Sequence, residues 1–131
     1  MKILLLGDPI DNQNAGIHVY TRELAKALAR VNRGKHELFL FREKSDDPIE
    51  GFSEFSFPNI HYPIGYASFR LFFQLPLKMK GLRPDIVIEP AHFGPFNTPK
   101  GAKRVTIIHD LTPILFPEHH RWHSQFLQKI F

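Results

Sequence analysis

The chain has 131 residues, 43% hydrophobic and 23% charged, the composition of a single ordinary soluble globular domain. It has no cysteine, which excludes disulfides and thiolate metal sites and fits a reducing compartment. The net charge of +4 admits an anionic partner (nucleic acid, a nucleotide phosphate or an acidic membrane surface), but the basic residues are dispersed in "NRGKH", "KMKGLR" and "PKGAKR" and form no stripe.

The amino terminus, "MKILLLGDP", starts like a secretory signal, yet its apolar run stops at Gly7-Asp8 and no small-residue cleavage site follows. No stretch approaches the roughly 20 apolar residues of a membrane span, so the expected location is the cytoplasm. Lys2 to Leu6 reads instead as a central buried strand. A polar loop, "DNQN", leads into a helix with Asn14 as N-cap and Gly34 as C-terminal stop. Ile17, Tyr20, Leu24, Leu28 and Val31 recur at helical spacing and predict its buried face.

"HELFLF", His36 to Phe41, is the second strand. Arg42 to Pro58 is polar, with "KSDDP" an exposed turn, and a short strand is expected near Ile60. A helix follows from about Tyr66; Pro76 should kink or shorten it and Gly81 end it. With Lys78, Lys80 and Arg83 beyond them, its Phe and Leu residues either lie on an anionic membrane or pack on the sheet, and packing on the sheet is expected. "PDIVIE" (Pro84 to Glu89) and "RVTIIH" (Arg104 to His109) are further buried strands, and "PEHHRWHSQFLQKIF" opens as a helix does. Strands alternate with crossovers long enough for parallel pairing, so the expected fold is a doubly wound α/β parallel sheet with the first strand central. The chain ends within a helix, which points to an incomplete domain.

In such a fold ligands meet the carboxyl ends of the strands. The first strand-to-helix turn, "GDPIDNQNAG", is neither GxGxxG nor a P-loop. Gly16 there either lets an anionic group approach the backbone or serves tight helix–sheet packing. Glu89 and His92 follow one strand in "IEPAHFGPF", and His109-Asp110 ends the next. All four should converge on the edge that carries Gly16, as a ligand site or as the polar rim of the core. His119, His120 and His123 include an i,i+4 pair but no HExxH, and read as a solvated helix face rather than a zinc site. The aromatic and basic run "EFSFPNIHYPIGYASFRLFF" matches no nucleic-acid signature and reads as core.

Three segments, "AGIHVYTRELAKAL", "PDIVIEPAHFGPF" and "RVTIIHDLTPILFPE", together resemble the N-terminal domain of family 4 retaining glycosyltransferases, the mannosyl- and glucosyltransferase-like enzymes of the GT-B fold. The resemblance implies a Rossmann-like acceptor-side domain over residues 1–131, with the C-terminal donor-binding domain absent and the fragment inactive alone. It implies transfer of a sugar, with retention, from a nucleotide-sugar donor to a glycan, lipid or small-molecule acceptor, without cofactor or metal. Ala15 and Gly16 would meet the donor phosphates, although the family commonly has Gly-Gly there. His109 would contact the donor sugar and stabilise charge, and Asp110 would fix the surrounding loop. Glu89, His92 and Phe93 would line the acceptor side. The expected partners are these substrates, a peripheral contact at the inner membrane face and further copies of the chain, with no nucleic acid. The alternative is a non-catalytic nucleotide- or partner-binding α/β module, which has no need of the His-Asp-Leu-x-Pro strand end.

Overall fold

The structure is a computed structural model that describes residues 1–12, 15–44, 46–56, 69–91, 98–110 and 115. Five parallel strands, β1 (Lys2–Leu6), β2 (Glu37–Arg42), β3 (Ser53–Ser56), β4 (Ile86–Glu89) and β5 (Lys103–Thr106), form one sheet in the order β3-β2-β1-β4-β5. β1 is central, as its unbroken apolar run requires: a strand covered on both faces has no position for a solvated side chain. Leu4 and Leu6, with Phe41 and Val87, point to one face and meet Leu75 and Met79 of helix α3 (Leu75–Leu82). Leu5 and Leu40 point to the other and meet Ile10 of α1 (Asp8–Asn12) and Ala25 of α2 (Ala15–Asn32). Helices therefore cover both faces of a doubly wound sheet.

Several elements depart from the sequence reading, each for a local reason. The loop after β1 winds into α1, because Ile10 is drawn into the core and its N–H donates to the Gly7 carbonyl at 2.8 Å. On α2 the buried stripe is rotated: Thr21 and Ala25 are fully buried, whereas Tyr20 and Val31 are exposed. Small residues let the helix approach the sheet closely, and the Thr21 hydroxyl is satisfied by the Ile17 carbonyl at 2.8 Å. Gly34 is at a helix end as expected. The chain turns over through two left-handed residues, Arg33 and Gly34 (φ 46° and 72°), while the Asn32 amide clasps the His36 backbone. Asn14 lies outside the described residues.

β3 falls inside the stretch read as polar, where Phe55 stacks on Phe39 with ring centroids 5.8 Å apart; Ile60 lies outside the described residues. Pro76 does not shorten its helix. It stands at the start of α3, which continues a π-helical turn, Arg70–Gln74, where Leu75 N–H reaches back to the Arg70 carbonyl. Proline has no N–H to donate, and the wider turn takes up the mismatch. Gly81 stays helical; Arg83 ends the helix in the left-handed conformation, φ 52°, and donates to the Met79 carbonyl at 2.8 Å. Phe72, Phe73 and Leu77 face outward, against the expectation that they pack on the sheet. β5, read as a buried strand that would lie near an unpaired edge if the final strands are absent, is the outermost strand on its side among the described residues and is exposed along its length. The helix expected from Pro117 lies outside the described residues.

Candidate functional site

Parallel pairing sends the ends of all five strands to one edge, and two groups of polar side chains gather there. The first lies where β4 and β5 stop. Glu89 is the last residue of β4, pairs in register with Thr106 and is 2% exposed. Its Oε2 accepts from Arg104 at 2.7 Å and from the Thr106 hydroxyl at 3.3 Å. Among the described residues its Oε1 is buried without a hydrogen-bond partner, which is costly for a carboxylate oxygen.

The ladder runs one step past β5, Ile107 N–H donating to the Glu89 carbonyl at 2.9 Å, and then releases His109. His109 is exposed and reaches back across the edge, its Nε2 donating to the Pro90 carbonyl at 2.6 Å. The ring of Tyr20 stands edge-on to it, with centroids 4.9 Å apart and planes at 84°. Asp110 follows, also exposed. Tyr20 lies one turn along α2 from Gly16, so the first turn of that helix and His109 share one place. Ala15 opens α2, and Gly16 is exposed with no atom within 4 Å of where a side chain would begin. Tight helix–sheet packing is therefore not what Gly16 serves. His92, Phe93, His119, His120 and His123 lie outside the described residues.

The second group was not foreseen. Asp8 and Asp11 follow β1, Arg42 and Glu43 end β2, and Arg70 opens the π-helical turn. Arg42, 3% exposed, holds Asp11 at 2.7 Å and the Asp47 carbonyl at 2.9 Å. Arg70, equally buried, holds Glu43 at 2.7 Å and Asp8 at 3.0 Å. Burial pushes the Asp8 carboxyl up to about 6, against the opposing pull of Arg70. Burial pulls the Arg42 guanidinium down, and its hydrogen bond and attraction to Asp11 outweigh this and hold it above its ordinary value. The signal was present in the sequence: "GD" and "RE" each follow a strand-like run, at positions that parallel pairing brings side by side.

The two hollows described on the surface lie elsewhere: one of about 340 Å³ under α3, and one of about 660 Å³ between α2 and the turn at residues 47–51. Neither is lined by His109, Glu89 or Gly16. Among the described residues, Glu89, His109 and the first turn of α2 share the carboxyl edge of the sheet. A profile of one protein family, Glycosyltransferase Family 4, matches residues 14–131, from the start of α2 through the His109 segment. No curated protein and no solved structure matches the chain.

Proposed function

Because the chain belongs to Glycosyltransferase Family 4, we propose that it forms the acceptor-side, N-terminal domain of a retaining glycosyltransferase of GT-B architecture. The donor is a nucleotide sugar, and the acceptor a glycan, a lipid or a small molecule. The observation that carries this reading is the meeting of His109 with the open first turn of α2 through Tyr20. Retaining transfer separates charge, positive on the sugar and negative on the departing diphosphate. The backbone N–H groups at Ala15 and Gly16, with the dipole of an 18-residue helix behind them, face the diphosphate. His109 lies beside the sugar and stabilises the developing charge without reorganising, and Asp110 steadies the loop beyond it. Glu89, at the end of β4, belongs to the acceptor side, with His92 and Phe93 near it in the chain.

The test is sugar transfer by the complete protein from a panel of nucleotide sugars. His109→Ala should lower turnover by about 100- to 1000-fold at unchanged melting temperature. Nucleotide-sugar binding without transfer would favour the non-catalytic module instead, and a destabilised variant with normal turnover would remove His109 from the site.

We place the protein at the inner face of the membrane, in keeping with a cysteine-free chain. Among the described residues no helix is long and apolar enough to cross a bilayer. Phe73 of the π-helical turn and Leu77 of α3 are 66% and 73% exposed, Lys78 and Lys80 are exposed too, and Phe57 to Pro84 contains no acidic residue. Co-sedimentation with vesicles rich in phosphatidylglycerol, weakened by salt and by Phe73→Asp/Leu77→Asp, is the expected result; equal recovery with phosphatidylcholine alone would refute it. Light scattering of the protein without vesicles should show self-association that Val105→Lys weakens, since Val105 of β5 and, just beyond, Ile108 are 46% and 58% exposed; a monomer at high concentration would refute it.

A further inference from the structure

The imidazole of His109 is held by two contacts from different elements, and together they decide which of its nitrogens is free. A carbonyl oxygen only accepts, so the 2.6 Å approach of Nε2 to the Pro90 oxygen requires a proton on Nε2. The neutral tautomer with its proton on Nδ1 would set two lone pairs against each other at that distance. Tyr20 fixes the plane of the ring. Its edge-to-face contact, at 4.9 Å and 84°, favours this plane, while a half-turn about Cβ–Cγ, which would keep the plane, would break the bond to Pro90. At 42% exposure Tyr20 is not a core residue, and its contact with His109 gives a reason for a large aromatic at that point of α2.

We propose that Tyr20 and the Pro90 carbonyl hold His109 as the Nε2-protonated imidazole, leaving Nδ1 as the ring atom that meets the substrate. Neutral Nδ1 has only a lone pair to offer, so the group it recognises is a hydrogen-bond donor, a sugar hydroxyl in the reading given above, on which this assignment of substrate rests. Tyr20 is a positioning residue: it touches the imidazole, not the reacting atoms. Because it stands one turn from Gly16, the same rigid helix sets both the backbone amides and the ring. The spacing between the phosphate and hydroxyl contacts is thereby built into α2.

Two measurements test this, and they fail independently. With ¹⁵N-labelled histidine in the complete protein at alkaline pH, the His109 resonances, identified by their loss in His109→Asn, should show the Nε2-protonated pattern. The Nδ1-protonated pattern would overturn the proposal whether or not the protein transfers sugar. In the complete protein, His109→Asn places an amide where Nδ1 stands, and His109→Gln places one where Nε2 stands. Asn should retain at least about tenfold more turnover than Gln, and the reverse order would overturn the role of Nδ1. Tyr20→Phe should behave as the parent, whereas Tyr20→Ala should lower kcat by about 10- to 100-fold with little change in KM and should alter the His109 resonances. A Tyr20→Ala protein with unchanged turnover and spectrum would remove Tyr20 from its positioning role. Absence of any sugar transfer with the Nε2-protonated pattern intact would count against the glycosyltransferase reading and leave the tautomer standing.

Discussion

Two glycines at the carboxyl edge show how differently one residue type is used. Gly7 follows β1, and its N–H donates to the Phe41 carbonyl at 2.6 Å. A methyl group there would lie 2.6 Å from Leu40 Cδ1 and 3.3 Å from the Phe41 oxygen, and Leu40 is fully buried and cannot retreat. Gly7→Ala should cost about 1–3 kcal/mol in a urea titration. Gly16 is the opposite case, with open space around it and an ordinary helical backbone. Gly16→Ala should leave stability unchanged or raise it by up to about 1 kcal/mol, yet raise the KM for the nucleotide sugar if the phosphates approach this backbone. An unchanged KM would remove Gly16 from the donor contact. Gly16, Glu89 and His109 were legible as site candidates because each follows or opens an element whose type was clear, and the edge of a parallel sheet is common to all. Tyr20 was not legible. Helical spacing identifies a set of apolar positions, but only packing decides which small residues turn inward, and Thr21 and Ala25 took the place assigned to Tyr20 and Val31.

At the scale of elements, the buried charges bind segments that the backbone ladder does not connect. Arg42 ties the end of β2 to α1 through Asp11, and Asp11 also accepts from the Lys44 N–H at 2.9 Å. Arg70 ties the π-helical turn to the ends of β1 and β2 through Asp8 and Glu43. Arg42→Ala leaves the buried Asp11 carboxylate with the Lys44 N–H but no cation, takes the cation from Glu54 at 3.6 Å as well, and should destabilise by about 3–5 kcal/mol. Arg42→Met with Asp11→Leu and Glu54→Gln removes the charges of the cluster and should lose less than Arg42→Ala alone; a larger loss would show that the cluster itself stabilises the fold. Asp8, Asp11, Arg42 and Glu43 read as polar loops and Arg70 as part of a helix, because Arg42 pairs with a partner 31 positions away, and Arg70 with partners 27 and 62 away. At that separation the strand ends shared by "GD" and "RE" are a hint of proximity, not of pairing.

For the molecule as a whole, Asp8 gives stability a pH dependence of unusual sign for a carboxylate. Its folded value of about 6 lies above the ordinary 3.8, so between those limits the native state binds more protons than the unfolded chain. The stability Asp8 contributes is therefore complete below about pH 4 and is lost as pH rises through 6. The difference in unfolding free energy between the parent and Asp8→Asn should fall by about 2–3 kcal/mol from pH 4 to pH 7. A difference independent of pH would mean that Arg70 holds Asp8 ionised throughout.

The sequence by itself determined the fold class and the central place of β1, because an apolar run without polar interruptions fits only where both faces are covered, and alternating crossovers leave the strands parallel. It also determined that His109 and Glu89 stand at one edge, since strand ends in such a sheet point the same way. Tertiary structure alone decided what those side chains touch. The orphaned Glu89 oxygen, the Tyr20 ring against His109 and the pairing of Arg42 with Asp11 are contacts between segments far apart in the chain, and each depends on how closely a helix settles on the sheet, which is set by packing volume rather than by periodicity.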